Sequence, residues 1–175
     1  MMNLAEYEIS EALVLRVGKI GNLEVTRLYG YCPVQSEGML DGMEYYFRSR
    51  DDHWRIEAGT GRSSGQPPTW WHSEIWPGEE FAAGWMTDEE AIGCIAKAAE
   101  TYNSLNQSRF VPGHPDYERT VYEGWSMRAL RLVDVMALLR VAPQDAAPRA
   151  AELHIQPPWT AANELDWIIK TGFTN

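Results

Sequence analysis

The spacing of apolar residues changes half-way along the chain, from alternation to a three-or-four-residue recurrence. Ala12 to Ile20 and Leu23 to Tyr31 read as two strands joined by a turn at Gly21-Asn22. Val34 to Leu40 follows, then Asp41-Gly42, the strongest hairpin signal in the sequence. In Met43 to Arg50, Tyr45 and Phe47 fall on one face, and Glu44, Tyr46, Arg48 and Arg50 on the other. Asp51-Asp52-His53 turns the chain again. Trp54, Ile56 and Ala58 then share a face opposite Arg55 and Glu57. The predicted product is an antiparallel meander with one apolar and one polar face. On the polar face, Arg48, Arg50 and Arg55 interleave with Glu44 and Glu57 as cross-strand ion pairs.

Gly59 to Pro68 is loop by composition, and Thr69 to Trp76 holds at most one short strand. Thr87 followed by Glu90 forms a capping box. Ile92, Ile95, Ala99 and Tyr102 continue it as an amphipathic helix. Asn103 to Glu123 reads as irregular. Ser126 to Val141 reads as a second helix, capped by Ser126 and apolar on most sides, with Arg128, Arg131, Asp134 and Arg140 as its polar positions. Ala146 to Leu153 suggests a short helix interrupted by Pro148. Thr160 to Thr171 gives a last one, with Leu165, Ile168 and Ile169 inward and Gly172 as its stop. The expected fold is α+β in one domain over 1–175: an antiparallel β-meander from residues 1–60, packed by about three helices from 87–175.

Composition adds a charge constraint. The net charge is −10, which argues against direct nucleic-acid binding, since phosphates demand Lys and Arg. Residues 74–100 hold seven acids and one base, more than half of the net charge. The same region overlaps Ser64 to Glu90, which carries Trp70, Trp71, Trp76 and Trp85, four of the eight tryptophans. Two cysteines, Cys32 and Cys94, make no disulfide framework and read as reduced thiols. The acidic N-terminus lacks a signal-peptide pattern, and no apolar run reaches membrane-spanning length, so a cytoplasmic location is expected.

The runs CPVQSEGMLDGMEYYFRSRDDHWRIEAG (Cys32 to Gly59) and FAAGWMTDEEAIGCIAKA (Phe81 to Ala98) resemble small uncharacterised bacterial or phage-borne proteins. The resemblance covers under half of the chain. It implies a bacterial cytosolic origin and no particular chemistry.

Several constellations offer chemistry. His72 with Glu74, and His114 with Asp116, are His-x-acid pairs that could together hold a divalent metal. The zinc-deaminase signature is incomplete, because no Pro-Cys-x-x-Cys follows His72. Cys32 and Cys94 are candidates for a thiol nucleophile, and adjacent acids such as Glu79 and Glu80 for a glycosidase pair beside tryptophan platforms. No P-loop, Gly-x-Gly-x-x-Gly or Gly-x-Ser-x-Gly occurs, so no cofactor is expected. The favoured expectation is a non-catalytic acidic binding protein. Trp70, Trp71 and Trp76, rimmed by Glu74, Glu79, Glu80, Asp88 and Glu89, would engage a basic surface on a protein partner, plausibly a nucleic-acid-binding one. This is the physics of phage anti-defence inhibitors and of immunity proteins. The alternatives are a small metal-dependent hydrolase on His72, Glu74, His114 and Asp116, and a homodimer joined through the Ser126 to Val141 helix.

Overall fold

The computed structural model describes residues 3–59 and 65–172. Five antiparallel strands follow one another across a single sheet: β1 (Leu23–Tyr29), β2 (Gln35–Leu40), β3 (Met43–Arg50), β4 (His53–Ala58) and β5 (Trp70–Ile75). Six helices surround it: α1 (Glu11–Gly18), α2 (Asp88–Ser104), α3 (Tyr117–Ser126), α4 (Leu132–Leu139), α5 (Pro143–Glu152) and α6 (Ala161–Thr171). This is the α+β meander that the change of period predicts, with most of the helices in the C-terminal half. The loop read over Gly59 to Pro68 lies partly outside the described residues. No helix among the described residues is long and apolar enough to cross a membrane.

Ala12 to Ile20 is helix, not strand. Ser10 caps it by accepting a hydrogen bond from Leu13 N. Leu13, Val17 and Ile20 are buried at helical spacing while Val14 and Leu15 face solvent. A dense apolar run hides its period, and the polar residue in front of it is the better guide. The hairpin at Asp41-Gly42 forms as expected, with φ of 52° and 76°, the paired positive values of a type I′ turn.

Side chains alternate across the sheet and so build two cores. On one face Leu40, Phe47, Trp54, Ile56 and Trp70 pack under α1 and α2, whose Ile92 and Ile95 are fully buried. The capping box of α2 is present, with Glu90 N donating to Thr87 and Thr87 N donating to Glu90. On the other face Trp71 enters a second core with Val121, Trp125, Leu130 and Val135. Phe110 wraps the β5 edge and touches both neighbouring tryptophans, 6.2 Å from Trp70 and 5.0 Å from Trp71 between ring centres.

The helix read over Ser126 to Val141 is two helices. α3 already begins at Tyr117, inside the stretch read as irregular, and ends at Ser126, whose hydroxyl donates to Gln156 O. Arg128 then takes a positive φ of 60°, and α4 starts only at Leu132. Leu132, Val135 and Met136 are buried within the chain's own second core, so this apolar face is covered largely by α3, α5 and α6. Pro148 sits inside α5 without ending it. In α6, Ile168 is buried and Ile169, expected inward, is exposed.

Candidate functional site

Trp70 and Trp71 are core residues, 1% and 4% exposed, so neither is a surface anchor. Trp76 is half-buried against the first core. The acids around them are largely engaged within the fold. Glu74 accepts from Lys97 at 2.6 Å and lies 3.1 Å from His72 Nε2. Glu89 accepts from Ser10 N and Oγ at 2.7 and 2.6 Å. Asp88 stands in the first turn of α2, and Glu79 and Glu80 are exposed in the turn before it. The exposed aromatics near these acids are others: Trp85 at 60%, Phe81 at 53% and Tyr31 at 79%. Trp85 meets Tyr31 edge-on, 5.5 Å between ring centres. A short 3-10 turn, Ala82–Trp85, raises this group beside Glu79 and Glu80, entered through Phe81 at φ 71°.

The two His-x-acid pairs stay local. His114 Nδ1 accepts from Asp116 N at 3.1 Å, and His72 stacks on Trp70 with 6.2 Å between centres. Among the described residues no group of three or more His, Cys, Asp or Glu is placed to hold a metal ion. Cys94 is buried in α2, and burial pushes its thiol up to about 12, far from a thiolate nucleophile.

What the structure assembles instead is a cluster of arginines. The two-residue turn at Asp51-Asp52 fixes the β3–β4 register, so that Arg48 lies directly opposite Arg55 and Arg50 opposite His53. Directly across the strands, Glu57 faces Tyr46 and Glu44 faces Met39, so neither glutamate stands opposite an arginine in this register. Like charges directly opposite on one sheet face are destabilising. The connector between α3 and α4 then adds Arg128 and Arg131. These five arginines and His53 line a pocket of about 360 Å³, completed by Asp51, Leu130, Trp159, Thr160 and Glu164.

Each wall residue has a traceable position. Arg128 is ion-paired with Asp52, sits 5.6 Å from the centre of the Trp159 ring, and accepts at its carbonyl from Arg55 Nη1 at 3.4 Å. Arg131 holds the buried Asp134 through Nε and Nη2, both at 3.1 Å. Glu164 is occupied by Trp125 Nε1 at 2.9 Å and Leu132 N at 3.0 Å. Arg50 lies 3.7 Å from Asp51. Arg48 Nε is buried with no hydrogen-bond partner. Burial would raise Asp52, but the Arg128 guanidinium outweighs it and holds the carboxyl below its ordinary value. His53 Nδ1 is 3.3 Å from Asp52, yet burial and then Arg128 push the imidazole down to about 4, so it is neutral at pH 7.

Five guanidiniums and two carboxylates line the recess, and behind it Asp52 and Asp134 are paired to Arg128 and Arg131. Guanidinium forks match the oxygens of phosphate and carboxylate, and a recessed site strengthens the attraction. The sheet half of this cluster carries a sequence signal. With a two-residue turn at 51–52, Arg48 must meet Arg55 and Arg50 must meet His53. The contribution of Arg128 and Arg131 is tertiary and leaves no such trace.

Comparison with family models, with curated proteins and with solved structures finds no match to this chain.

Proposed function

We propose that this protein is a binding protein for an oxyanion-bearing ligand, seated on Arg48, Arg50, Arg55, Arg128 and Arg131. The observation that carries the reading is Arg48 set directly opposite Arg55, with its Nε buried and unpartnered. An anion bridging the two guanidiniums would offset their repulsion across the sheet. Departures of this kind from local rules gather at functional sites. The test is thermal unfolding in rising inorganic phosphate at constant ionic strength, for wild type and R48Q/R55Q. Stabilisation should follow RT ln(1 + [L]/Kd), reaching about 2.7 kcal/mol at a hundred times Kd, and should vanish in the variant. An equal response in both proteins would reduce the effect to nonspecific salt stabilisation and end the reading.

A second surface supports partner binding. Tyr31, Phe81 and Trp85 expose a compact aromatic group bordered by Glu79 and Glu80. In this reading the protein is a non-catalytic inhibitor or immunity-type protein. Its target would present a basic surface, with Arg or Lys side chains stacking on the rings between the two acids. The anchors are then Trp85, Phe81 and Tyr31 in place of Trp70 and Trp71. A captured basic partner should be released by W85A and by E79K/E80K, the latter with a reduced salt dependence. Capture indifferent to both changes would remove this face from consideration.

A further inference from the structure

We infer that the ligand of the arginine pocket is a mononucleotide, with its phosphate on the arginines and its base stacked on Trp159. This inference rests on the anion-binding reading and narrows it.

Trp159 belongs to the pocket wall and is 71% exposed, so its indole is open at the edge of the recess. The ring is held out by its surroundings. Pro157 and Pro158 precede it, Pro158 is buried, and Thr160 begins α6 immediately afterwards. Proline fixes φ, so this segment has little freedom to fold the indole back. Arg128 approaches the ring at 5.6 Å, which ties the aromatic platform to the guanidinium cluster. The pocket therefore offers charge at one place and a flat π surface beside it. Aromatic stacking is the general means by which proteins hold nucleobases, because every base has a π face.

Size and charge narrow the choice further. At about 360 Å³ the pocket is much larger than a phosphate ion and within the range of small organic ligands. Asp51, only loosely paired with Arg50 at 3.7 Å, and the Thr160 hydroxyl provide polar groups of the kind a ribose requires. A nucleic-acid strand fits poorly, since binding one needs a track of cations along its backbone. Here five of the twelve arginines converge on one recess, and the chain as a whole is acidic. Carboxylates behind the wall limit the charge the site can hold: Asp52 is committed to Arg128, Asp134 to Arg131, and Glu57 lies close enough to favour the charged form of Arg131. A single phosphate group suits that balance.

The experiment is calorimetric titration with AMP, GMP, CMP and UMP, beside ribose 5-phosphate and inorganic phosphate, for wild type, W159A, W159F and R48Q/R55Q. At least one nucleotide should bind wild type about 10-fold or more tighter than ribose 5-phosphate, the order expected of one base–indole stack. W159A should remove the nucleotide's advantage, so that it binds no tighter than ribose 5-phosphate does to the same variant. W159F should retain part of the gain. R48Q/R55Q should lose all of the ligands together. Nucleotide and ribose 5-phosphate binding equally to wild type would overturn the nucleotide assignment and leave the anion site standing. Binding of no phosphate compound, or binding indifferent to R48Q/R55Q, would overturn the anion site as well.

Discussion

Gly124 of α3 stands against the indole of Trp71 on β5, so close that a Cβ there would lie 2.7 Å from Trp71 Cδ1. This contact docks the helical cluster on the sheet. G124A forces the helix off the strand, and overpacking of this kind costs about 1–3 kcal/mol. Urea denaturation should show it as a lower midpoint. If G124A is as stable as wild type, the α3–β5 approach is looser than described.

The neighbouring tryptophans of the aromatic segment should behave as opposites. Trp70 is 1% exposed and W70A should cost about 3–5 kcal/mol. Trp85 is on the surface, and W85A should change stability by about 0.5 kcal/mol or less. Thermal melts of the two variants decide the matter. A large loss from W85A would mean that its ring supports the fold and is no free docking group.

The acid-base contacts should divide by burial. Arg16 and Glu100 join α1 to α2 bidentately at 2.7 and 2.5 Å, but both side chains are well exposed. E100Q should therefore cost less than about 1 kcal/mol. Asp134 is buried and accepts from the backbone and side chain of Arg131 at the start of α4. D134A removes a cap and an ion-pair partner together, and should cost about 2 kcal/mol. Chemical denaturation of both variants gives the comparison, and a larger loss from E100Q would reverse the assignment.

His53 sets a pH dependence. Burial and Arg128 push its imidazole down from 6.5 to about 4. Between those values the folded state binds fewer protons than the unfolded state, so stability is fully present above about 6.5 and falls as pH falls toward 4. From pH 7 to 4.5 wild type should lose about 1–2 kcal/mol more than H53Q. Phosphate in the pocket should flatten the slope, because an anion favours the imidazolium that Arg128 and Arg55 oppose. Parallel curves for wild type and H53Q would show that His53 is not held neutral.

The sheet was legible because β2 and β4 bury alternate residues and recognisable turns bound β3 between them, and α2 because Thr87 and Glu90 announce it. α1 was not, since Ala12 to Ile20 is apolar enough to suit either element and only Ser10 distinguishes them. α3 hides its period behind Thr120 and Gly124, which are buried but not apolar. The tryptophans expected at the surface are buried, because Trp70 and Trp71 point to opposite sides of β5 and both sides are covered. The arginine pocket needs the β3–β4 hairpin to meet the connector after α3, 73 residues from Arg55 to Arg128, and no local pattern encodes such a meeting.

The meander order bears on how the molecule assembles. Every strand pairs only with its neighbour in the chain, so the pairings of the sheet are between consecutive segments, an arrangement that favours rapid folding. The pairing of Asp52 with Arg128 spans 76 residues and forms only when the helices reach the sheet. The arginine recess is thus a product of a long-range step of folding. Its occupancy would distinguish the completed protein from a chain that has built its sheet and not yet closed.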